Sequence, residues 1–175
     1  MFSKIGLYAL VAILATFALT GTSASTYSGY KWGSAKSLSL VDTTTREQWT
    51  QAVNVAVAGW NESPYVEFRV TRRAECGNAK VCVWEFDNPG GPFYAYVVIW
   101  LRGGDTIRQA IVYLNDNQID WTRDPVVYQR TLCHELGHVL GLMPDADPDS
   151  CMGGSVGHPS ARDFEMLAAI YGGGK

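Results

Sequence analysis

The sequence is poor in charge and in histidine, and it lacks both low-complexity tracts and internal repeats. Only 18% of its 175 residues are charged, whereas 47% are hydrophobic. This composition argues against a disordered chain or a repeat array, and it provides enough apolar material for one domain with a substantial core. There is also no basic run, with 14 Lys and Arg against 17 acidic residues. The sequence therefore argues against nucleic acid as a partner.

The first 24 residues have the features of an export signal. Lys4 gives a positive start, an apolar run extends from Ile5 to Leu19, and small residues at Thr22 to Ala24 suit a cleavage site. We predict cleavage after Ala24, which leaves residues 25–175 as a single domain with 13 basic and 17 acidic residues. An uncleaved membrane anchor is the alternative, because the apolar run approaches spanning length. If the signal is removed, we expect a secreted, monomeric protein with no membrane partner.

In an oxidising compartment the four cysteines can form two disulfides. Cys76 and Cys82 flank a short loop between two strand-like runs, so we predict that they form a disulfide. Cys133 and Cys151 then remain for a second disulfide, which would tie a helix to the segment that follows it. The alternative for Cys133 is a role as a metal ligand.

The hydrophobic pattern predicts a strand-rich first half followed by helices, which is an α+β arrangement. A helix is predicted after Thr45, where apolar residues recur at helical spacing as far as Trp60. The predicted strands are Leu38–Val41, Tyr65–Arg72, Val81–Phe86, Phe93–Leu101 and Gln109–Asn115. Two more helices are predicted, at about 125–140 and about 160–171.

The residues that could bind a metal or take part in catalysis lie on the helix at about 125–140. The chain has three histidines, and two of them, His134 and His138, are four residues apart, so they project from one helix face toward a single ion. Zinc held by three protein ligands keeps a fourth position for water and lowers the pKa of that water to about 7. Glu135 lies beside the pair and would accept the proton of the water. A chance occurrence on an ordinary helix is the alternative, but Gly141 is placed to end the helix and turn the chain back toward the ion.

The segment HELGHVLGL, followed by an acidic stretch and Met152, resembles the metzincin clan of zinc endopeptidases. The clan pattern is H-E-x-x-H-x-x-G-x-x-(H or D) with a methionine turn. The sequence is most similar to the matrixin-like and snapalysin-like members, and ARDFEMLAAIYG resembles the terminal helix of matrixins.

This resemblance implies both a fold and an activity. The fold would be a mixed, twisted sheet with a packed helix, a zinc helix and a small C-terminal subdomain with its Met-turn at about 150–154. The activity would be that of a secreted zinc endopeptidase with one catalytic zinc ion and Glu135 as general base. Met152 would form a hydrophobic floor beneath the zinc. A protein or peptide substrate would bind in extended form along an edge strand, for which Phe93–Trp100 is the candidate.

The third zinc ligand departs from the family pattern. Its position, ten residues after His134, is occupied by Pro144, which has no donor atom. Snapalysin-like members use an aspartate there, and Asp145 stands only one residue later in this chain. Because a loop can absorb one extra residue, we predict Asp145 as the third ligand. The alternatives are Asp147, Asp149, His158 or no protein ligand at all.

Two other functions stay open at this level. The chain could retain zinc but act as a catalytically inactive module that binds protein partners, although a purely structural zinc would have no use for Glu135. It could also be a different H-E-x-x-H hydrolase with Glu165 as ligand, but Gly141 and Met152 would then lose their purpose.

A structural calcium ion is a further possibility for one group of loop residues. The candidate ligands are Asp87, Asn88 and Asp116, together with nearby carbonyl groups. No ordered ligand spacing supports this site.

Overall fold

The computed structural model describes residues 10–13, 27–115, 117 and 126–173. The described residues form six strands, three α-helices and one short 3-10 helix. In chain order these are β1 Leu10–Ile13, β2 Leu38–Asp42, α1 Glu47–Trp60, β3 Phe68–Arg72, β4 Val81–Phe86, β5 Ala95–Leu101, β6 Ile107–Asn115, α2 Val127–Val139, the 3-10 helix Cys151–Gly153 and α3 Ala161–Tyr171. No described helix has the length and apolarity needed to cross a membrane.

Most of the predicted signal peptide lies outside the described residues. This includes the cleavage site after Ala24, so the prediction of export stays untested. The exception is Leu10–Ile13, which forms β1.

The strands form one mixed sheet in the order β1-β5-β6-β4-β2-β3. Strand β2 runs parallel to both β3 and β4, and β4 runs parallel to β6. Strand β5 is antiparallel to β6, and β1 is antiparallel to β5. Residues of β5 alternate between fully and partly buried, so one face of the sheet packs on the core and the other is partly open.

Helices α1 and α2 pack against each other, and α2 also contacts β5 and β6. The inner face of α1 is apolar at helical spacing and is buried along its whole length; it consists of Trp49, Ala52, Val53, Ala56, Val57 and Trp60. Trp49 meets Tyr128 of α2 edge-on, with 4.4 Å between the ring centroids. Trp60 donates from Nε1 to the carbonyl oxygen of Cys133 at 3.0 Å. These contacts fix the position of α2 over the sheet.

The order of elements agrees with the α+β expectation, but several boundaries differ. Strand β3 begins three residues later than predicted, because Val66 donates from its backbone to Ser63 in a turn that precedes it. Strand β5 begins at Ala95 and not at Phe93, and β6 begins two residues before the predicted Gln109. The described part of α2 begins at Val127.

A buried asparagine shapes the loop between β4 and β5. The Asn115 side chain accepts from the backbone of Asn88 at 3.1 Å and donates to the carbonyl oxygens of Asn88 and Phe93 at 3.0 and 3.2 Å. Because every bond is to backbone, the loop path is fixed independently of the loop side chains. This holds Pro92 to Tyr94 beside α2.

Candidate metal centre and adjoining pocket

Helix α2 is held on the core along its apolar face and by donors from neighbouring elements. Trp32 donates from Nε1 to the carbonyl oxygen of Val139 at 2.8 Å, and the Tyr171 hydroxyl donates to that of Leu140 at 2.8 Å. These bonds satisfy carbonyl groups that a helix end leaves without partners. The helix therefore ends in a fixed place.

The chain reverses at Gly141, as the sequence predicted. Gly141 has a φ of +90°, and a Cβ there would lie 2.4 Å from the carbonyl oxygen of Tyr30. Both the backbone conformation and the lack of space require glycine. Leu142 then donates to the carbonyl oxygen of Gly137 at 3.0 Å, which closes the turn.

The two histidines of α2 are brought together with their Nε2 atoms 3.1 Å apart. Their Nδ1 atoms lie 2.8 Å from the carbonyl oxygens of Cys151 and Leu142, respectively. A carbonyl only accepts, so each Nδ1 carries the proton, and each Nε2 is left with a lone pair. Two buried lone pairs that face each other are unfavourable without a cation between them.

The electrostatic state of His134 and His138 also suits metal binding. Burial lowers the pKa of His134. Burial, together with the electrostatic effect of His134, lowers the pKa of His138 to about 3. Both rings are therefore neutral near pH 7, which is the form that binds metal. On a tetrahedral zinc ion with Zn–N bonds of about 2.0 to 2.1 Å, two nitrogens lie roughly 3.3 Å apart. The observed separation fits zinc.

Glu135 lies next to the pair and has one unsatisfied carboxyl oxygen. Its side chain is 4% exposed, and Oε2 has no hydrogen-bond partner among the described residues. Burial raises the pKa of Glu135 to about 8. A carboxyl group with such a pKa exchanges a proton near neutrality, which suits a general acid and base.

Met152 lies in the 3-10 helix and packs against Gly137 of α2. Its side chain is 1% exposed and packs so tightly on α2 that a Cβ on Gly137 would lie 2.1 Å from its sulfur. Ser150 caps this turn, since its Oγ accepts from the Met152 backbone at 2.9 Å. The turn thus presents the Cys151 carbonyl to His134.

Both disulfides expected from the sequence are present. Cys76 is bonded to Cys82, and Cys133 is bonded to Cys151. The second bridge joins the residue before His134 to the residue before Met152. Cys133 is therefore not a metal ligand.

The third ligand is not placed with the histidine pair. Among the described residues, no three His, Cys, Asp or Glu side chains are arranged to hold a metal. Asp145 comes nearest to the expected role: its charge opposes the effect of burial on the pKa of His134, and its backbone donates to the Met152 carbonyl at 3.2 Å. Its Oδ1 accepts from the backbone of Asp147 at 2.9 Å. Asp145 therefore stays a prediction.

The alternative ligands lie in other settings. Oδ1 of Asp147 accepts from the backbone of Asp149 at 3.0 Å, in the turn formation that is common for aspartate beside proline. His158 is exposed and bonds to Cys151 through its backbone carbonyl at 2.9 Å. Glu165 is exposed on α3.

The calcium expectation gains no support from the loop geometry. Asp87 bonds through Oδ1 to the side chain of Asn117, and Asn88 bonds through its backbone to Asn115. Asp116 lies outside the described residues.

A pocket of about 450 Å³ opens beside the histidine pair. It lies between α2 and the loop that leads into β5, and its lining residues are Pro92, Phe93, Tyr94, Ala95, Arg130, Thr131, His134, Glu135 and Gly154. Arg130 was not predicted as a site residue, although it lies four residues before His134 and hence on the same helix face. The pocket therefore has both a cation and the candidate base among its lining residues.

Comparison with known proteins identifies the fold. No protein-family model matches the chain, and no curated protein matches its sequence. Two solved structures of myroilysin are similar: one with a TM-score of 0.52 and 13% identity over 82% of this chain and 83% of that one, and one with a TM-score of 0.51 and 15% identity over 81% and 85%. The chain has an α+β, metzincin-like fold.

Proposed function

We propose that this protein is a secreted, zinc-dependent endopeptidase. The observation that carries the proposal is the geometry of α2: two neutral imidazoles with facing Nε2 atoms lie beside a buried carboxyl group whose Oε2 has no hydrogen-bond partner among the described residues. The similar solved structures are of myroilysin, a metalloprotease, which is consistent with the same class of reaction. Two disulfides are consistent with an oxidising, extracellular setting.

His134 and His138 would hold the zinc, with Asp145 as the proposed third ligand. The bound ion would polarise a peptide carbonyl and lower the pKa of a water. Glu135 would take the proton of that water and return it to the leaving amine.

The substrate would be an extended peptide beside β5. In the described chain the outer edge of β5 is bonded to β1, so removal of residues 1–24 would expose that edge for an incoming strand. The side chain next to the cleaved bond would enter the pocket between α2 and the β5 loop.

The test expresses the full chain in a secreting host and measures casein cleavage by the recovered protein. We expect cleavage by the wild type, loss of cleavage on chelation and recovery on addition of zinc. Glu135→Gln should reduce the rate by at least about 100-fold while zinc stays bound, because only the proton acceptor is removed. N-terminal sequencing of the same sample checks cleavage after Ala24.

Glu165→Gln is the matched control, since Glu165 is an exposed glutamate on α3. It should cleave casein like the wild type, whereas loss of zinc from Glu165→Gln would support the other H-E-x-x-H hydrolase. Loss of zinc from Asp145→Ala would support Asp145 as ligand. If wild type and Glu135→Gln both bind zinc, remain folded and fail to cleave, the inactive binding module replaces the proposal.

A further inference from the structure

Asp163 is a buried carboxylate whose bonds exceed what helix capping needs. It is the third residue of α3 and forms a capping box with Ser160: its Oδ2 accepts from the Ser160 backbone at 2.7 Å, and its own backbone donates to Ser160 Oγ at 3.4 Å. A capping box requires no burial of this side chain. Asp163 is nevertheless 0% exposed, and its Oδ1 has no hydrogen-bond partner among the described residues.

The additional bond of Asp163 goes to Ser150, just before the 3-10 helix. Ser150 is also 0% exposed, and its hydroxyl donates to Asp163 Oδ2 at 2.6 Å. A hydroxyl has one proton, so this bond directs a lone pair of Ser150 toward another donor. That donor is the Met152 backbone, 2.9 Å away.

The 3-10 helix connects the Ser150 hydroxyl to one histidine of the pair. Cys151, between Ser150 and Met152, presents its carbonyl oxygen to Nδ1 of His134 at 2.8 Å. Nδ1 of His138 instead donates to the carbonyl oxygen of Leu142, which is not part of this turn. The chain of contacts from α3 therefore reaches one imidazole and not the other.

We infer that Asp163 is a positioning residue for His134, acting through Ser150 and the Cys151 carbonyl. It sets the ring orientation and tautomer of His134, and through them the direction of the Nε2 lone pair. The inference deepens the proposed function, since it assigns the support of the same zinc site.

The test compares two serines that bond to the same carboxylate oxygen. Ser150→Ala removes the link to the turn but leaves the capping box. Ser160→Ala removes only the hydroxyl that accepts from the Asp163 backbone, while the Ser160 backbone bond to Asp163 Oδ2 and the link to Ser150 both stay. Both variants should lower Tm, so thermal stability does not distinguish them. Zinc affinity, measured by competition with a chromophoric chelator well below either Tm, should fall about tenfold or more in Ser150→Ala only.

Nitrogen NMR of the metal-free protein gives a readout that needs neither zinc nor activity. In Ser150→Ala the His134 ring resonances should shift while those of His138 stay in place, and Ser160→Ala should move neither. If Ser150→Ala does not fold, Asp163→Asn takes its place, with the same shifts expected because the charged acceptor is lost.

The inference is overturned if the two serine variants change zinc affinity equally, if neither changes it, or if both histidines shift together. These outcomes are separate from the fate of the proposed function. A wild type that binds zinc without cleaving casein would contradict the endopeptidase proposal, while the His134 shift would still support the role of Asp163.

Discussion

Gly137, in the HELGH segment, lies at a close contact between α2 and the 3-10 helix. Position 137 faces Met152 and Trp60, and an added Cβ would lie 2.1 Å from the methionine sulfur and 3.0 Å from Cζ2 of the indole ring. Glycine within a helix costs about 1 kcal/mol relative to alanine. The residue is thus used for close approach of the methionine to the helix.

Gly137→Ala should lower the free energy of unfolding by up to about 2 kcal/mol, measured by urea denaturation. Overpacking costs about 1 to 3 kcal/mol, and the better helix propensity of alanine offsets part of it. In a Met152→Ala background, where the clashing sulfur is gone, the same change should be neutral or stabilising. Stabilisation of the protein in the wild-type background would contradict the tight packing described here.

The sequence predicted much at the residue scale, but not the partners of the key side chains. His134, His138 and Glu135 follow from their spacing, and the positive φ of Gly141 follows from its place after the helix. The Nδ1 acceptors could not be predicted, because backbone carbonyls carry no sequence signature. Asp163 was missed for a similar reason, since its position indicates only a helix cap.

At the scale of elements, α2 is anchored by neighbours from distant parts of the chain. Donors come from Trp60 at the end of α1, Trp32 before β2 and Tyr171 at the end of α3. The periodicity of the sequence predicted the helices and most strands. It could not predict the strand order, because partners in a parallel sheet are set by packing of helices on the sheet.

Both disulfides should contribute to thermal stability, but only the one between Cys133 and Cys151 should also contribute to zinc affinity. Replacing Cys133 and Cys151 together by serine should lower Tm and also weaken zinc binding, because the bridge fixes the turn that holds His134. The bridge closes a loop with a sequence separation of 18, for which loss of the cross-link costs about 3 kcal/mol. Calorimetry and chelator competition measure the two effects.

The paired replacement of Cys76 and Cys82 is the matched control. This bridge joins the loop before β4 to Cys82 in that strand, and neither cysteine belongs to α2 or to the 3-10 helix. Its removal should lower Tm without changing zinc affinity. Equal losses of zinc affinity in the two double variants would show that the nearer disulfide has no special role at the site.

At the scale of the whole molecule, buried Glu135 and the buried histidines should make the stability of the metal-free protein depend on pH in opposite directions. The folded-state pKa of Glu135 is raised from 4.5 to about 8, so its contribution to stability is lost as pH rises through that interval. The folded-state pKa of His138 is lowered from 6.5 to about 3, so its contribution is lost as pH falls through that interval. His134 shifts in the same direction as His138.

The metal-free wild type should therefore lose stability as pH rises from about 6.5 to 8, when unfolding releases the Glu135 proton. Glu135→Gln removes that ionisation, so its stability should not fall over the same range. Between about pH 5.5 and 8 the two stability profiles should diverge by about 3 kcal/mol. Urea midpoints in the presence of a chelator measure this, and parallel profiles would mean that Glu135 is ionised in the fold.

The disulfide between Cys133 and Cys151 has one more consequence, which concerns the integrity of the chain in a proteolytic environment. The segment it encloses contains the exposed residues Pro144 and Pro148 and the partly exposed Asp145, where a peptide bond is accessible to attack. A single backbone cut there leaves the fragment bearing the two histidines covalently joined to the fragment bearing the methionine. The nicked molecule would separate into two pieces only after reduction.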